Sequence, residues 1–445
     1  MEENKSHTIN NSIWEENTER PRFEALKESK NTDVLIIGGG IAGILCAYML
    51  KNAGVDCILA EARRICSGIT QNTTAKITLG HSLLYDKLIR RFGEERARLY
   101  LEAQQKACWK YAELCKNIPC DYEAKDSYVY SMNSHKKIEQ EVDALNRLSV
   151  GAEFFAELPL PLTVAGAVCV KNQAQFNPLK FAFAIAKDLP IYENTKVTEL
   201  MPGKAITNHG TITCKKIIVA THFPMLNKHG SYFLKMYQHR SYVLALDGAP
   251  SINGMYVDEA DTGMSFRNYK NLLLLGGGGH RTGKKGGSWH ELEAFVGEHY
   301  NGEKIVARWA AQDCMTLDGA PYIGKYSKNT PDLYVATGFN KWGMSSAMVS
   351  AMVLSDLVLG KRNEYAEVFS PSRSILRPQL AINAFESIVG LLTPTKPRCP
   401  HLGCALKYNP AEHSWDCPCH GSRFTESGEL IDGPATDDKK NMPPM

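Results

Sequence analysis

Four side chains near the C-terminus are spaced to bind metal. Cys399 and His401 form a Cys-x-His pair, and Cys417 and His420 form a Cys-x-x-His pair after fifteen intervening residues. Two thiolates and two imidazoles can bind the two irons of a [2Fe–2S] cluster, one pair on each iron, or a single zinc ion. Zinc fingers place a cysteine pair before a histidine pair, whereas the order here alternates. The spacing therefore favours an iron–sulfur cluster, which exchanges electrons one at a time.

The residues around these ligands resemble a known family. Cys399-Pro-His-Leu-Gly-Cys404 and Cys417-Pro-Cys-His-Gly-Ser422 resemble the Rieske signature, in the disulfide-containing form of cytochrome bc-type complexes. The resemblance implies one [2Fe–2S] cluster, and Cys404 and Cys419 could join the two loops that hold it. Gly433-Pro-Ala435 matches the third loop that closes over the cluster in this family.

Two positions after the second pair bear on the redox potential. Ser422 looks like the family serine that donates a hydrogen bond to a cluster sulfur, whereas Phe424 replaces a frequent tyrosine. Fewer hydrogen bonds to sulfur lower the potential. We therefore expect a potential well below the top of the family's range of about −150 to +300 mV. The alternative is that Phe424 only packs.

A glycine-rich turn near the N-terminus predicts a dinucleotide site. The apolar run Asp33–Ile37 has the length of a buried parallel strand and leads into this turn and a helix. Gly38 permits the tight turn, Gly40 lets the backbone approach a pyrophosphate, and Gly43 allows close packing of helix on strand. A second strand ends at Glu61, which is placed to bind ribose hydroxyls.

Later segments distinguish FAD from NAD. The apolar strands Lys216–His222 and Leu333–Gly338, followed by the turn Phe339–Met344 and an apolar helix, resemble FAD-binding elements of the D-amino-acid oxidase superfamily. The resemblance covers roughly residues 33–360. It implies an α/β (α+β) fold, with a Rossmann-like FAD-binding domain and an inserted antiparallel-sheet substrate domain. It also implies dissociable, non-covalent FAD, because the family's anchoring cysteine falls elsewhere than Cys66 and Cys314.

The same resemblance assigns individual residues. Val197 looks like the backbone contact to adenine, and Ser67–Lys76 resembles the segment beneath the flavin. The cofactor-binding residues expected on these grounds are Gly38, Gly40, Ile41, Ala42, Gly43, Glu61, Ala62, Arg63, Gly68, Thr74, Ala75, Val197, Ala220, Thr221, Gly338, Phe339, Trp342, Gly343, Met344 and Ser345. The glycine-rich stretch Leu272–Gly283 fits no frame of Gly-x-Gly-x-x-Gly, so we expect a strand and turn there rather than a second nucleotide site.

Three basic residues are candidates for catalysis. Lys76, His81 and Lys341 lie in or next to segments expected to border the flavin, and each could bind substrate or take a proton. Positions on a solvated surface are the alternative for all three. The family's amine oxidases hold a substrate carboxylate with Arg or Lys at the start of the last helix. Ser345 stands there and cannot form an ion pair, which disfavours an α-amino acid substrate.

The sequence divides into four parts. These are a polar N-terminal extension (1–31), an FAD-binding domain (32–365), a linker (366–394) with a helix over Ala381–Leu392, and a shortened Rieske subdomain (395–445). Within the second part, we expect nucleotide segments at about 32–120, 172–224 and 311–362, and substrate-domain insertions at about 121–171 and 225–310. Only a few residues separate the linker from Cys399, so we expect the Rieske subdomain to lack its usual first strands. We expect it to lean on the flavoprotein body and not to fold alone.

The composition limits the class of protein and indicates its location in the cell. The net charge of +3 gives no argument for nucleic acid, and no run of about eighteen apolar residues predicts a transmembrane segment. The first thirty residues lack the apolar core of a signal peptide. The cysteines outside the Rieske-like segment have no framework spacing, which indicates reduced thiols and a cytoplasmic protein. A Cys404–Cys419 bond would then be an exception protected by burial.

Together these features predict an FAD- and Rieske-dependent oxidoreductase. We expect a dehydrogenase that oxidises a C–N or C–H bond of a small amine-like metabolite and passes single electrons to an external carrier, either ferredoxin-like or a quinone. Three alternatives stay open: reverse flow that reduces an organic substrate, an electron-transfer module without its own substrate, and a purely structural cluster.

Overall fold

The computed structural model describes residues 8, 10–16, 18–225, 229–300, 302–394, 397–440 and 442, so the start of the predicted N-terminal extension lies outside the described residues. The helices are α1 (Ile41–Asn52), α2 (Ile69–Asn72), α3 (Tyr85–Phe92), α4 (Glu94–Cys115), α5 (His135–Arg147), α6 (Pro178–Ala186), α7 (Tyr232–Lys235), α8 (Ser288–His299), α9 (Gly343–Val358) and α10 (Pro378–Leu392). The strands are β1 (Lys30–Ile37), β2 (Cys57–Ala60), β3 (Lys76–Ile77), β4 (Glu123–Ser131), β5 (Glu153–Phe155), β6 (Gly166–Gln175), β7 (Ile191–Tyr192), β8 (Val197–Met201), β9 (Lys204–Thr207), β10 (Gly210–Val219), β11 (Met236–Asp247), β12 (Met255–Asp258), β13 (Ser265–Tyr269), β14 (Leu272–Arg281), β15 (Lys304–Thr316), β16 (Tyr322–Lys325), β17 (Leu333–Thr337), β18 (Lys407–Asn409), β19 (Ser414–Asp416), β20 (Arg423–Thr425) and β21 (Leu430–Asp432).

The first sheet is the predicted nucleotide-binding sheet. Its strands β17, β10, β1, β2 and β7 lie side by side and parallel, with β16 antiparallel at one edge and the β8–β9 hairpin attached to β10. The apolar end of β1 is buried, as a parallel strand covered on both faces requires. A Cβ at Gly38 would lie 2.5 Å from the Ala220 carbonyl oxygen, so the first glycine of the turn has no room for a side chain.

The second sheet carries the predicted substrate domain. It runs in the order β15-β11-β14-β13-β12-β4-β6-β3, with β5 paired to β6, and its pairs are antiparallel except β4–β12. The glycine-rich stretch after Leu272 is β14 in the middle of this sheet, which confirms the strand prediction. The long strands β11 and β15 pair from Met236 with Thr316 to Asp247 with Lys304. Side chains of these strands reach both the central cavity and the C-terminal segment.

The third sheet is the small antiparallel meander β18-β19-β20-β21 near the C-terminus. Its own core is little more than Leu406, Phe424 and Ala435 packed with the cysteines. The predicted linker helix is present as α10 and begins at Pro378, three residues earlier than expected. Among the described residues, no helix has the length and apolar character that a membrane crossing needs.

Candidate functional site

A cavity of about 680 Å³ extends from the glycine-rich turn to the start of α9. Seventeen of the twenty predicted cofactor-binding residues line it, as do the predicted catalytic residues Lys76, His81 and Lys341. The other three lie behind its wall. Gly43 packs so closely on Gly38 that a Cβ would collide with the Gly38 carbonyl, while Ala75 and Ser345 are buried.

The α1 end of the cavity is suited to an anion. The α1 N-cap is Gly40, which provides no side-chain hydrogen bond, and the first turn of the helix carries no acidic residue. A Cβ at Gly40 would have only the Thr70 hydroxyl within 4 Å, at 3.4 Å, so the space beside it is open. Helix N-termini bind phosphates through free N–H groups and the helix dipole.

The β2 end presents a fixed carboxylate. Glu61 accepts hydrogen bonds from the amides of Gly39 at 2.6 Å and Arg63 at 2.8 Å, which hold its side chain at the end of β2. Val197 begins β8 on the same stretch of cavity wall and is buried. This arrangement can bind a ribose diol and an adjacent flat base, as the sequence predicts.

The far end of the cavity is formed by the turn before α9. The helix begins at Gly343 without a side-chain cap, so its first amides border the cavity. Asn340 and Lys341 have φ values of 51° and 71°, and the turn is held because the Asn340 side-chain oxygen accepts a hydrogen bond from the Thr316 amide at 2.7 Å. An uncapped helix N-terminus here can stabilise negative charge on a bound ring.

His81 is held by protein partners on both ring nitrogens. Its Nε2 lies 2.9 Å from the Thr78 carbonyl oxygen and 2.9 Å from the Ser345 hydroxyl, and its Nδ1 lies 2.8 Å from the Tyr100 hydroxyl. A carbonyl only accepts, so Nε2 carries the hydrogen and the Tyr100 hydroxyl donates to Nδ1. Burial lowers the pKa of His81 to about 3. The ring also stacks on Trp342, which indicates a positioning role at the α9 turn.

Lys76 has the altered acidity expected of a proton acceptor. Burial, reinforced by the nearby Arg267 guanidinium, lowers the pKa of Lys76 to about 7. Its amine donates to the Thr74 hydroxyl at 3.0 Å. Arg267 is fully buried and donates to the carbonyl oxygens of Thr74 and Ala75, which fixes the whole segment at the cavity wall.

Lys341 is held at the cavity wall by the backbone of Asp261. Its amine donates to the Asp261 carbonyl oxygen at 3.1 Å. Burial lowers the pKa of Lys341, although Asp261 and Asp313 oppose the shift. Of the two cysteines considered for covalent flavin attachment, Cys66 lines the cavity and Cys314 is not among its lining residues.

The two predicted ligand loops have the same hydrogen-bond pattern. The amide of Gly403 donates to the Cys399 carbonyl at 3.0 Å, and that of Gly421 donates to the Cys417 carbonyl at 2.9 Å. Each cysteine amide in turn donates to the residue five positions later, Cys404 or Ser422. Both glycines have positive φ, at 80° and 86°, which lets each loop curl around its cysteine.

The side chains at the ends of these loops fit a cluster. Cys399 and Cys417 are buried, and their thiols are close enough to hydrogen bond, which lowers the pKa of Cys399. The rings of His401 and His420 lie 4.9 Å apart, and neither ring nitrogen of the buried His420 has a hydrogen-bond partner among the described residues. Buried polar atoms normally find partners, so these nitrogens are suited to bind metal.

Cys404 and Cys419 form a disulfide between the two loops. Together with Cys417 they form a group of three sulfurs within 4.8 Å of one another. Two of the three are consumed by the disulfide, so this group cannot supply three thiolates to a metal. Gly390 in α10 packs against the Cys419 sulfur with no space for a Cβ.

The Rieske-like subdomain rests on the substrate-domain sheet. Buried Gln238 in β11 donates to the carbonyl oxygens of His420 at 3.0 Å and Gly433 at 2.7 Å. Gln312 in β15 donates to the Gly421 carbonyl at 2.9 Å and to the Gln238 side chain at 2.7 Å. These contacts join the Rieske-like subdomain to the flavoprotein body.

Sequence reasoning missed part of the cavity wall. The C-terminal loop, defined as Leu430–Thr436, contributes six of its seven residues to the lining, with Ile431 the exception. The sequence identifies Gly433–Ala435 only as a loop over the cluster. No local pattern reveals that the same segment also reaches the nucleotide cavity, because this depends on how the subdomain docks.

Fold and site together define a flavoprotein with an attached iron–sulfur domain, and the comparisons with known proteins agree. The family described as FAD dependent oxidoreductase matches residues 33–357, and the Rieske [2Fe-2S] domain matches residues 372–443. The chain therefore belongs to the FAD dependent oxidoreductase family and carries a C-terminal Rieske domain. Its cofactors are FAD and a [2Fe–2S] cluster, as the sequence predicts. The helix starts without side-chain caps and Glu61 fit FAD, and the His420 ring nitrogens, which have no hydrogen-bond partner in the described part of the chain, fit the cluster.

Individual proteins share either the whole architecture or the flavin part. YhfW of Bacillus subtilis, which is named as a Rieske 2Fe-2S iron-sulfur protein, is 36% identical, with 95% of this chain and 96% of that protein covered. The glycine oxidase of Geobacillus kaustophilus superposes with a TM-score of 0.66 at 18% identity, covering 78% of this chain and 99% of its own. L-proline dehydrogenase from P. horikoshii superposes with a TM-score of 0.66 at 17% identity, covering 78% of this chain and 98% of its own. These two likenesses show the fold.

Proposed function

We propose that this protein is a dehydrogenase that oxidises a C–N or C–H bond of a small amine-like metabolite and delivers the electrons singly to an external carrier. One observation carries the proposal: the C-terminal loop of the Rieske domain lines the same cavity as the FAD-binding residues. When bound, FAD accepts an electron pair and the cluster accepts one electron, so adjacent sites support conversion from two-electron to one-electron chemistry. An oxidase that reduces oxygen directly has no use for this adjacency.

The cavity wall supports an amine as the substrate. Asp258, Asp261 and Asp313 line it and can pair with a protonated amine. Ser345 is buried against His81 and offers no cation to a carboxylate. Glycine oxidase and L-proline dehydrogenase, two of the structural neighbours, are named for compounds with an amine nitrogen. We therefore expect an amine without a dependence on an α-carboxylate.

We assign the proton acceptor to Lys76. With a pKa of about 7, its amine is largely uncharged at slightly alkaline pH and can take a proton from the substrate. Lys341, whose amine is held by the Asp261 carbonyl oxygen at the cavity wall, is assigned to orient the substrate. His81 is assigned to hold the α9 turn, because both of its nitrogens are engaged.

The surface beside the ligand loops supports an apolar carrier. The end of α10 packs on the first loop, where Ala405 donates to the Gly390 carbonyl at 2.9 Å. Large apolar side chains are exposed along α10 and at the loop tip, namely Ile382, Phe385, Ile388, Val389, Leu391, Leu392 and Leu402. A quinone suits such a surface better than an acidic ferredoxin-like protein, which docks by charge.

An anaerobic substrate panel tests the proposal. Purified protein is mixed with primary and secondary amines, N-methylated amino acids and simple α-amino acids, and the flavin absorbance is followed. Bleaching by an amine, followed by recovery when a soluble quinone is added, is the expected result. If no compound bleaches the flavin while dithionite still does, the protein reduces its substrate or only transfers electrons between carriers.

A further inference from the structure

The C-terminal loop meets the FAD cavity at its nucleotide end. The Arg63 guanidinium donates to the Ile431 carbonyl at 3.3 Å, and the Lys196 amine donates to the Thr436 carbonyl. Arg63 lies two residues after Glu61, and Lys196 directly precedes Val197. Glu61 and Val197 are the residues proposed to bind ribose and adenine, so the loop stands beside the proposed adenosine site.

The same loop is bonded to the cluster-binding loops. The Ala435 amide donates to the Ser422 hydroxyl at 2.9 Å. Gln238 joins the Gly433 carbonyl to the His420 carbonyl through one side-chain amide. Pro434 and Ala435 are buried, so the middle of the loop is packed against the protein. It is therefore a physical connection between a predicted cluster ligand and the wall of the nucleotide cavity.

We propose that the C-terminal loop is a binding segment for the adenosine half of FAD and that it couples FAD retention to cluster assembly. The proposal rests on the placement of adenosine at Glu61 and Val197. Metal binding orders the loops that hold it, so loading of the cluster fixes Ser422 and His420, and through them the loop. A fixed loop closes the cavity beside the adenosine and slows FAD release. Because coupling between two binding sites is reciprocal, bound FAD stabilises the cluster equally.

Gln238→Leu tests the coupling without touching the cavity, since Gln238 is not among its lining residues. FAD dissociation is measured by the rise in free flavin fluorescence, in the protein with its cluster and after the iron is removed with a chelator. We expect Gln238→Leu to raise the FAD Kd roughly tenfold, which corresponds to about 1.4 kcal/mol. Removal of iron from the unaltered chain should raise the FAD Kd by a similar factor. Removal of iron from Gln238→Leu should raise its Kd little further. Asn268→Leu, which likewise removes a side-chain amide bonded to two backbone groups and which does not line the cavity, is the matched control and should leave the Kd unchanged.

Further measurements separate this proposal from others. Glu61→Ala should weaken FAD binding; if it does not, the adenosine placement and the coupling are both wrong. If Glu61→Ala weakens binding while Gln238→Leu and iron removal do not, only the coupling is wrong. If Gln238→Leu does not fold, hydrogen exchange in the unaltered chain decides. FAD should slow exchange in Leu430–Thr436 but not in the β18–β19 hairpin, and equal exchange with and without FAD would overturn the proposal. No substrate is used, so these results are independent of the proposed dehydrogenase activity.

Discussion

Arg240 of the substrate-domain strand β11 is paired with Glu412 of the Rieske domain, with the Arg240 Nε 3.0 Å from the Glu412 Oε1. The Arg240 side chain is 4% exposed and that of Glu412 10%, and Arg423 approaches the other carboxylate oxygen at 2.8 Å. The Tyr242 hydroxyl donates to the same carboxylate at 3.0 Å. Glu412 thus pairs with a guanidinium group from each side of the boundary between the two domains, and Asp416, 3.0 Å from Arg423, adds a second carboxylate.

Removing this glutamate should weaken the attachment of the Rieske domain. Glu412→Ala leaves Arg240 and Arg423 buried with less compensation, and breaking a buried pair from one side costs about 3–5 kcal/mol. We expect a loss of this size in the free energy of unfolding, measured with denaturant. Glu426→Ala, which removes an exposed partner of His413, is the control and should change stability little. Equal stability of both variants would contradict the proposed role of Glu412.

The same group predicts sensitivity to acid. Burial raises the pKa of Glu412, but Arg240 and Arg423 outweigh it and lower the pKa to about 2, compared with about 4.3 when unfolded. A lowered folded-state pKa gives stability that is complete above the unfolded value and is lost as the pH falls towards 2. Thermal unfolding of the unaltered chain and Glu412→Gln, compared between pH 6 and 3, should therefore converge at low pH. A constant difference across this range would show that Glu412 does not titrate this way.

Lys76 should govern the pH dependence of substrate oxidation. Because its pKa is about 7, the rate constant kcat/KM should rise as the pH passes through about 7 and the amine loses its proton. Lys76→Met should lower kcat/KM by roughly 10²-fold or more and remove this dependence. Lys87→Met, which alters an exposed lysine that also lines the cavity, should keep the profile. An unchanged profile in Lys76→Met would assign the proton acceptor elsewhere.

The sequence predicts the parts of the site that are local in the chain. Gly38, Gly40 and the ligand loops carry their function in short spacings, because one turn must curl around phosphate and another around metal. Gln238 and Glu412 carry no such pattern, since their roles arise only when distant segments pack together. Ser345 illustrates the limit: its position at the start of α9 is predictable, but its burial against His81 depends on tertiary structure.

Phe424 should keep the midpoint potential of the cluster lower than a tyrosine at this position would. Its ring is buried in the small core of the Rieske domain, beside the cysteines, and contributes no hydroxyl. Phe424→Tyr should raise the midpoint potential in a redox titration followed by EPR, because an added donor to sulfur favours the reduced cluster. Trp415→Phe, which alters a half-buried ring packed against the same core, should leave the potential nearly constant. If Phe424→Tyr shifts nothing, Phe424 only packs.

Oxidation of a substrate at the flavin should reduce the cluster in the same chain. The most direct measurement mixes the protein anaerobically with an amine that bleaches its flavin, freezes samples at intervals, and records EPR spectra. We predict that, after the flavin is bleached, a Rieske signal of up to one electron per chain grows at a rate independent of protein concentration, and that the flavin of Cys399→Ser is bleached without this signal. A fully bleached flavin beside a cluster that stays oxidised would contradict the account.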